Sequence, residues 1–104
     1  MSIDRRLRLF GFTKVYENPT GCSYERKDPE YDYTQRVDIT KRAVWKEFMI
    51  QSYDKDLFDK NNIGNTCVAL SLYEVKLFYK KMKQMERKHK LRNLGERLKF
   101  WEGW

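Results

Sequence analysis

Ile3, Leu7 and Phe10 recur at i, i+4 and i+7 behind Ser2, and Gly11 stands where a left-handed stop is expected. The pattern predicts a short first helix with one apolar face. From Thr13 the period drops to two: residues 13–17 read as a strand, Asn18-Pro19-Thr20-Gly21 as a turn, and residues 22–26 as the returning strand of a hairpin. Asp28-Pro29-Glu30 makes a second turn. After it Tyr31, Tyr33, Val37 and Ile39 alternate with Asp32, Thr34, Arg36, Asp38 and Thr40, the pattern of a half-buried antiparallel strand. Lys41-Arg42-Ala43 separates this strand from residues 44–50, whose apolar groups fall on both faces and predict a fourth strand. Residues 51–65 are polar around Leu57, Phe58 and Ile63 and read as a long surface excursion.

The sharpest boundary lies at Ser71. Ser71 and Glu74 have the spacing of a capping box, and Leu70 and Val75 that of a hydrophobic staple. Val75, Phe78, Met82 and Met85 then mark the helix face expected to lie across the sheet. A continuous helix from 72 to 101 would be about 45 Å long, beyond the width of so small a domain. Asn93-Leu94-Gly95 supplies the break, and Leu94, Leu98 and Trp101 share a face of the short helical segment that follows. The expected architecture is a single α+β domain over residues 1–104: a short N-terminal helix, an antiparallel meander of about four strands, a long C-terminal helix packed on the sheet, and a short terminal helical segment.

Composition supports a folded core, since 40% of the 104 residues are hydrophobic and 15% aromatic, more than a disordered chain carries. No apolar run approaches the eighteen or so residues of a membrane span, and Met1-Ser2-Ile3-Asp4-Arg5-Arg6 lacks the apolar stretch of a signal peptide. The expectation is a cytosolic protein with no membrane partner. The formal net charge is +7, and it is unevenly placed. Residues 72–104 hold ten Lys/Arg against four acids, whereas residues 1–71 hold twelve against eleven. A basic block on one element steers acidic partners to that element.

Little in the chain suggests catalysis or a cofactor. Cys22, Cys67 and the single His89 cannot assemble a zinc spacing, and in a reducing compartment both thiols read as small, partly buried apolar residues in preference to a disulfide or nucleophile. No Gly-rich phosphate loop or nucleophile elbow is present. Asp54, Asp56 and Asp59 lack the glycine and terminal glutamate of a calcium loop and read as loop solvation and turn formation.

Two constellations bear on binding. Lys76, Lys80, Lys83, Arg87 and Lys90 stack along one line of the long helix, about 21 Å from end to end and opposite the apolar stripe. That line is either a solvated face or a rod that contacts several phosphates. Lys81, Lys88 and Arg92 flank it, and Tyr73 and Tyr79 stand beside the charges as stacking surfaces. The second constellation is the C-terminal Phe100, Trp101 and Trp104, which either pack back on the first helix or sheet or anchor a partner or a second copy of the chain.

The order of a helix ending Leu9-Phe10-Gly11-Phe12-Thr13-Lys14-Val15, a Tyr-rich meander, a polar excursion, and a helix opening Leu70-Ser71-Leu72-Tyr73-Glu74-Val75-Lys76 resembles small phage- and prophage-encoded proteins of low-GC Gram-positive bacteria. The resemblance spans residues 7 to about 86 and supplies no functional residue to carry over. It implies a protein that redirects or blocks host machinery, anti-CRISPR inhibitors among them, although the basic balance departs from the acidic, DNA-mimicking type. The expected function is a non-enzymatic counter-defence inhibitor in the host cell cytoplasm. Its basic helix would engage a host defence protein, a nucleoprotein complex or another acidic surface. The alternative is a DNA- or RNA-binding accessory protein of phage replication or regulation, and an enzyme with an unrecognised site is the third reading.

Ser71→Ala removes a cap from an otherwise unpaired helix N–H and is expected to cost about 0.5–2 kcal/mol in denaturant unfolding. An unchanged midpoint and slope would mean that the capping box is misassigned.

Overall fold

The computed structural model describes residues 1–42, 44, 47–60 and 66–88. Along the chain run α1 (Ile3–Leu9), β1 (Thr13–Asn18), β2 (Gly21–Lys27), β3 (Thr34–Arg42), β4 (Glu47–Asp54), α2 (Lys55–Asp59) and α3 (Leu72–Lys88). The strands form one antiparallel sheet in the order β1-β2-β3-β4, an unbroken meander. The long helix lies on one face of it, and α1 packs against α3. This is the expected α+β architecture in its short helix, four-strand meander and long helix, while the expected terminal helical segment lies outside the described residues. None of the described helices is long and apolar enough to cross a membrane.

The local signals produce the local structures. Ser2 Oγ accepts the Arg5 N–H at 3.1 Å, and Gly11 takes φ 93°, the left-handed turn that ends α1. In the β1–β2 turn, Asn18 Oδ1 accepts the Thr20 N–H at 2.9 Å and the Thr20 hydroxyl at 2.7 Å. Gly21 is required by space, because a Cβ there would lie 2.3 Å from the Ile39 carbonyl oxygen. Ser71 Oγ accepts the Glu74 N–H at 3.2 Å while Glu74 Oε1 accepts the Ser71 N–H at 2.8 Å, a complete capping box.

The core gathers Leu7 from α1, Phe12, Cys22 and Tyr24 from β2, Val37 and Ile39 from β3, and Leu77, Phe78 and Met85 from α3. Phe78 is its centre, with edge contacts to Phe12 at 5.1 Å and Tyr24 at 5.6 Å. Truncating so central a ring costs about 3–5 kcal/mol in comparable cores.

Several expectations need correction. The third strand begins at Thr34 because Asp28 Oδ1 accepts the N–H groups of Glu30 and Tyr31 and Asp32 takes a left-handed φ of 51°, so residues 28–33 form a loop. Lys41 and Arg42 extend β3, and the fourth strand runs Glu47–Asp54, later than expected, leaving Val44 exposed. Residues 51–54 are therefore sheet, and residues 55–59 are helix. Asp54 caps that helix by accepting the Leu57 N–H at 3.0 Å, Asp56 accepts the Thr34 N–H, and Asp59 pairs with Lys55. The three aspartates fix α2 rather than solvate a loop. Cys22 is fully buried, its S–H directed at Met85 Sδ 3.3 Å away, whereas Cys67 is exposed.

The largest correction concerns the rotation of α3. Its buried face is Glu74, Leu77, Phe78, Lys81 and Met85, with Met82 half-buried, while Val75 is 47% exposed. Two charged residues occupy positions that an apolar-stripe reading assigns to solvent, and both are held by partners distant in sequence. Arg26 donates to Glu74 Oε2 at 2.5 Å, to the Phe10 carbonyl at 3.0 Å and to Gln35 Oε1 at 2.8 Å, while its guanidinium lies 4.0 Å from the Phe12 ring centre. One side chain thus joins the end of α1, the start of α3 and the sheet.

Lys81 is 2% exposed. It donates to Glu17 Oε1 at 2.7 Å and Gln84 Oε1 at 3.0 Å, and its ammonium lies 3.1 Å from Asp4 Oδ1. Glu17 can face it because of a bulge in β1: Lys14 lies opposite Tyr24 and Glu17 opposite Cys22, so Val15 is the extra residue. Without that insertion, residues 14 and 17 would point to opposite faces. Lys14 and Lys88 complete a cluster of three ammonium groups on two carboxylates.

Desolvation works to raise both carboxyls. It is outweighed by hydrogen bonds from Tyr24, Lys14 and Lys81 at Asp4, and from Lys81, Lys88 and Lys14 at Glu17, so each is held down to about 2. A carboxyl depressed on folding stabilises the protein fully above its unfolded value and loses that contribution as pH falls through its folded value. Stability should therefore decline from about pH 4.5 toward 2, with each carboxylate contributing on the order of 2 kcal/mol. Glu17→Gln should cost about 3 kcal/mol in urea unfolding at neutral pH and flatten the acid decline, because it strands a buried ammonium. Lys81→Met, which removes that ammonium and leaves the carboxylates Lys14 and Lys88, should cost less. The reverse ranking would contradict the assignment.

Candidate functional site

Rotating Glu74 and Lys81 inward turns Tyr73, Lys76 and Lys80 toward α1. Between the two helices lies an open groove of about 470 Å³. Arg6 of α1 and Lys76 and Lys80 of α3 supply its cations, and no Asp or Glu lines it. Among the described residues, no carboxylate stands within ion-pair distance of any of the three. The apolar lining comes from Leu9, Phe10 and Tyr73, which are 71%, 39% and 66% exposed, above the buried Leu77. The Phe10 and Tyr73 rings stack, with centres 6.0 Å apart and planes 25° from parallel.

Several cations of the core and sheet are paired elsewhere. Lys14, Lys81 and Lys88 serve Asp4 and Glu17, Arg26 serves Glu74, and Arg36 serves Glu25 and Asp38. Arg5 and Arg8 are exposed neighbours of Arg6 on α1. The α1–α3 side therefore presents cations that the fold has not neutralised, beside aromatic surface that it has not covered.

The expected basic line divides accordingly. Lys76 and Lys80 line the groove, and Arg87 is exposed at the end of α3. Lys83 is half-buried and sits 3.7 Å from Glu86. Lys81, expected beside the line on the surface, is buried in the Asp4–Glu17 cluster, and Lys88 pairs with Glu17 at 3.1 Å. Of the two tyrosines, Tyr73 belongs to the groove, whereas Tyr79 is half-exposed and does not line it. Lys90, Arg92, Phe100, Trp101 and Trp104 lie outside the described residues, as do His89 and the expected break at residues 93–95. Arg6 is hidden in the sequence because charge counted over residues 1–71 averages Arg5, Arg6 and Arg8 against eleven acids, and Leu9 and Phe10 give no sign there that they stay exposed beside α3.

The opposite face of the sheet carries a polar network that is closed on itself. Asp38 accepts the Ser23 hydroxyl, the Arg36 Nε–H at 2.9 Å and the Tyr53 hydroxyl at 2.6 Å. Arg36 also reaches Glu25 at 3.2 Å. Burial raises Asp38, but these donors hold it below the usual carboxylate range, and burial with the Asp38 bond pushes the Tyr53 phenol up. A paired carboxylate and a phenol that keeps its proton stabilise the sheet and offer no poised acid or base. Burial likewise pushes the Cys22 thiol up to about 12, which leaves it a packing group. Among the described residues no three His, Cys, Asp or Glu side chains are grouped to hold a metal ion.

Comparison with protein-family models, with curated proteins and with solved structures finds no match to this chain.

Proposed function

We propose that the protein acts by binding, not catalysis, and that the α1–α3 face engages an acidic surface of a nucleoprotein complex. The observation that carries the reading is the groove itself, where unneutralised cations from two helices converge beside exposed aromatic and aliphatic side chains. Cations alone steer an encounter; cations next to uncovered apolar surface also give it something to bury. The resemblance of residues 7 to about 86 to small phage and prophage proteins supports taking the target to be a host defence complex, inhibited in the host cytoplasm in the anti-CRISPR manner. The alternative, an accessory DNA- or RNA-binding protein of phage replication or regulation, uses the same face and differs in the partner.

Arg6→Glu, Lys76→Glu and Lys80→Glu together should leave the fold intact by circular dichroism, because all three side chains are exposed. Binding to immobilised heparin, a simple polyanion, should weaken at least about tenfold at low salt. Unchanged retention would remove this face as the binding surface. In cells whose CRISPR nuclease restricts a phage, expression of the native chain should restore plaques and expression of the triple variant should not. Equal restriction with and without the native chain would refute the counter-defence role.

A further inference from the structure

We infer that the groove holds a single-stranded polynucleotide, with its phosphates on Arg6, Lys76 and Lys80 and a base laid on the Tyr73 ring. The inference rests on the α1–α3 face being the binding surface, and it adds the chemistry of what occupies that face.

Three features favour a strand over other polyanions. The cations stand on both banks of the trough, Arg6 on α1 and Lys76 and Lys80 on α3. One helical turn separates the two lysines by about 6 Å along the axis, a step comparable to that between neighbouring phosphates of an extended strand. Tyr73 is 66% exposed yet steadied by Phe10, so the pair forms an aromatic platform that a base can extend. Finally, the wall is apolar where Leu9 is 71% exposed, next to the charges. A duplex presents phosphates outward and keeps its base faces stacked inside, which would leave Tyr73, Phe10 and Leu9 uncovered. A run of acidic side chains would satisfy the cations but has no flat surface for the platform. The groove is also open, which suits a polymer lying through it.

The test uses the full chain and labelled probes of matched charge: oligo(dT) and oligo(U) of about 15 nucleotides, a DNA duplex, and polyglutamate. Lys90, Arg92, Arg97 and Lys99 add unspecific attraction in the full chain. The informative readouts are therefore the single-strand to duplex ratio and the effect of Tyr73, not bare affinity. Single strands should bind at least about tenfold more tightly than duplex, with oligo(dT) against oligo(U) distinguishing DNA from RNA as the source. Tyr73→Ala should weaken single-strand binding about 5- to 150-fold, whereas Tyr73→Phe, which keeps the ring, should not. Lys76→Glu with Lys80→Glu should lower the slope of log affinity against log salt by about two.

Duplex binding as tight as single-strand binding, or single-strand binding indifferent to Tyr73→Ala, overturns the inference. Preference for polyglutamate, lost on charge reversal of the groove, also overturns it but leaves the acidic-partner reading standing. A chain that binds none of the four probes defeats both.

Discussion

A buried ammonium group dictates how the long helix sits. Lys81 is almost fully enclosed on the face of α3 that meets the sheet, and a charge in that position is tolerable only if carboxylates and hydrogen-bond acceptors close around it. Glu17, Asp4 and Gln84 do so. Their arrival needs a bulge in β1 to turn Glu17 inward and a first helix that brings Asp4 to the same place. Arg26 repeats the device about two turns earlier at Glu74, whose other oxygen completes the capping box. The two clamps leave α3 one rotation in which neither charge is stranded.

The groove follows from that rotation. With Glu74, Leu77, Phe78 and Lys81 inward, Tyr73, Lys76 and Lys80 turn toward α1 and meet Arg6, Leu9 and Phe10. Had α3 been turned to bury Val75 in place of Glu74 and Lys81, the same lysines would have faced away from the first helix. The carboxylates used to hold Lys81, Lys88, Lys14 and Arg26 are also unavailable to the groove cations. Internal pairing thus removes acids from one region and leaves positive charge uncompensated in another.

What sequence reveals here is what short-range chemistry decides. The Ser71–Glu74 capping box, the Asn18–Gly21 turn, the Gly11 stop and the alternation of Val37 and Ile39 each depend on neighbours within a few residues, and all are legible. The phase of α3 depends on Glu17, 64 positions before Lys81, and on Arg26, 48 positions before Glu74, so hydrophobic periodicity alone finds Phe78, Met82 and Met85 but takes Val75 for a buried position and misses Glu74 and Lys81. The bulge at Val15 leaves no pattern that distinguishes it from an ordinary strand. Residues 51–54 look like loop because Tyr53 and Asp54 take their places through Asp38 and the α2 cap, not through apolar alternation. Half of the groove, Tyr73 with Lys76 and Lys80, was visible on the helix. The other half was not, because helix–helix packing creates it.

Amine acetylation of the native chain, read lysine by lysine by mass spectrometry, probes the arrangement directly. Lys80 and Lys81 are adjacent in sequence, so any difference in reactivity reports the fold rather than the local sequence. Lys76 and Lys80 should be modified rapidly while Lys81 stays unmodified until the chain unfolds. Acetylation of Lys81 at the rate of Lys80 under native conditions would contradict the burial of Lys81, and with it the rotation of α3 that builds the groove.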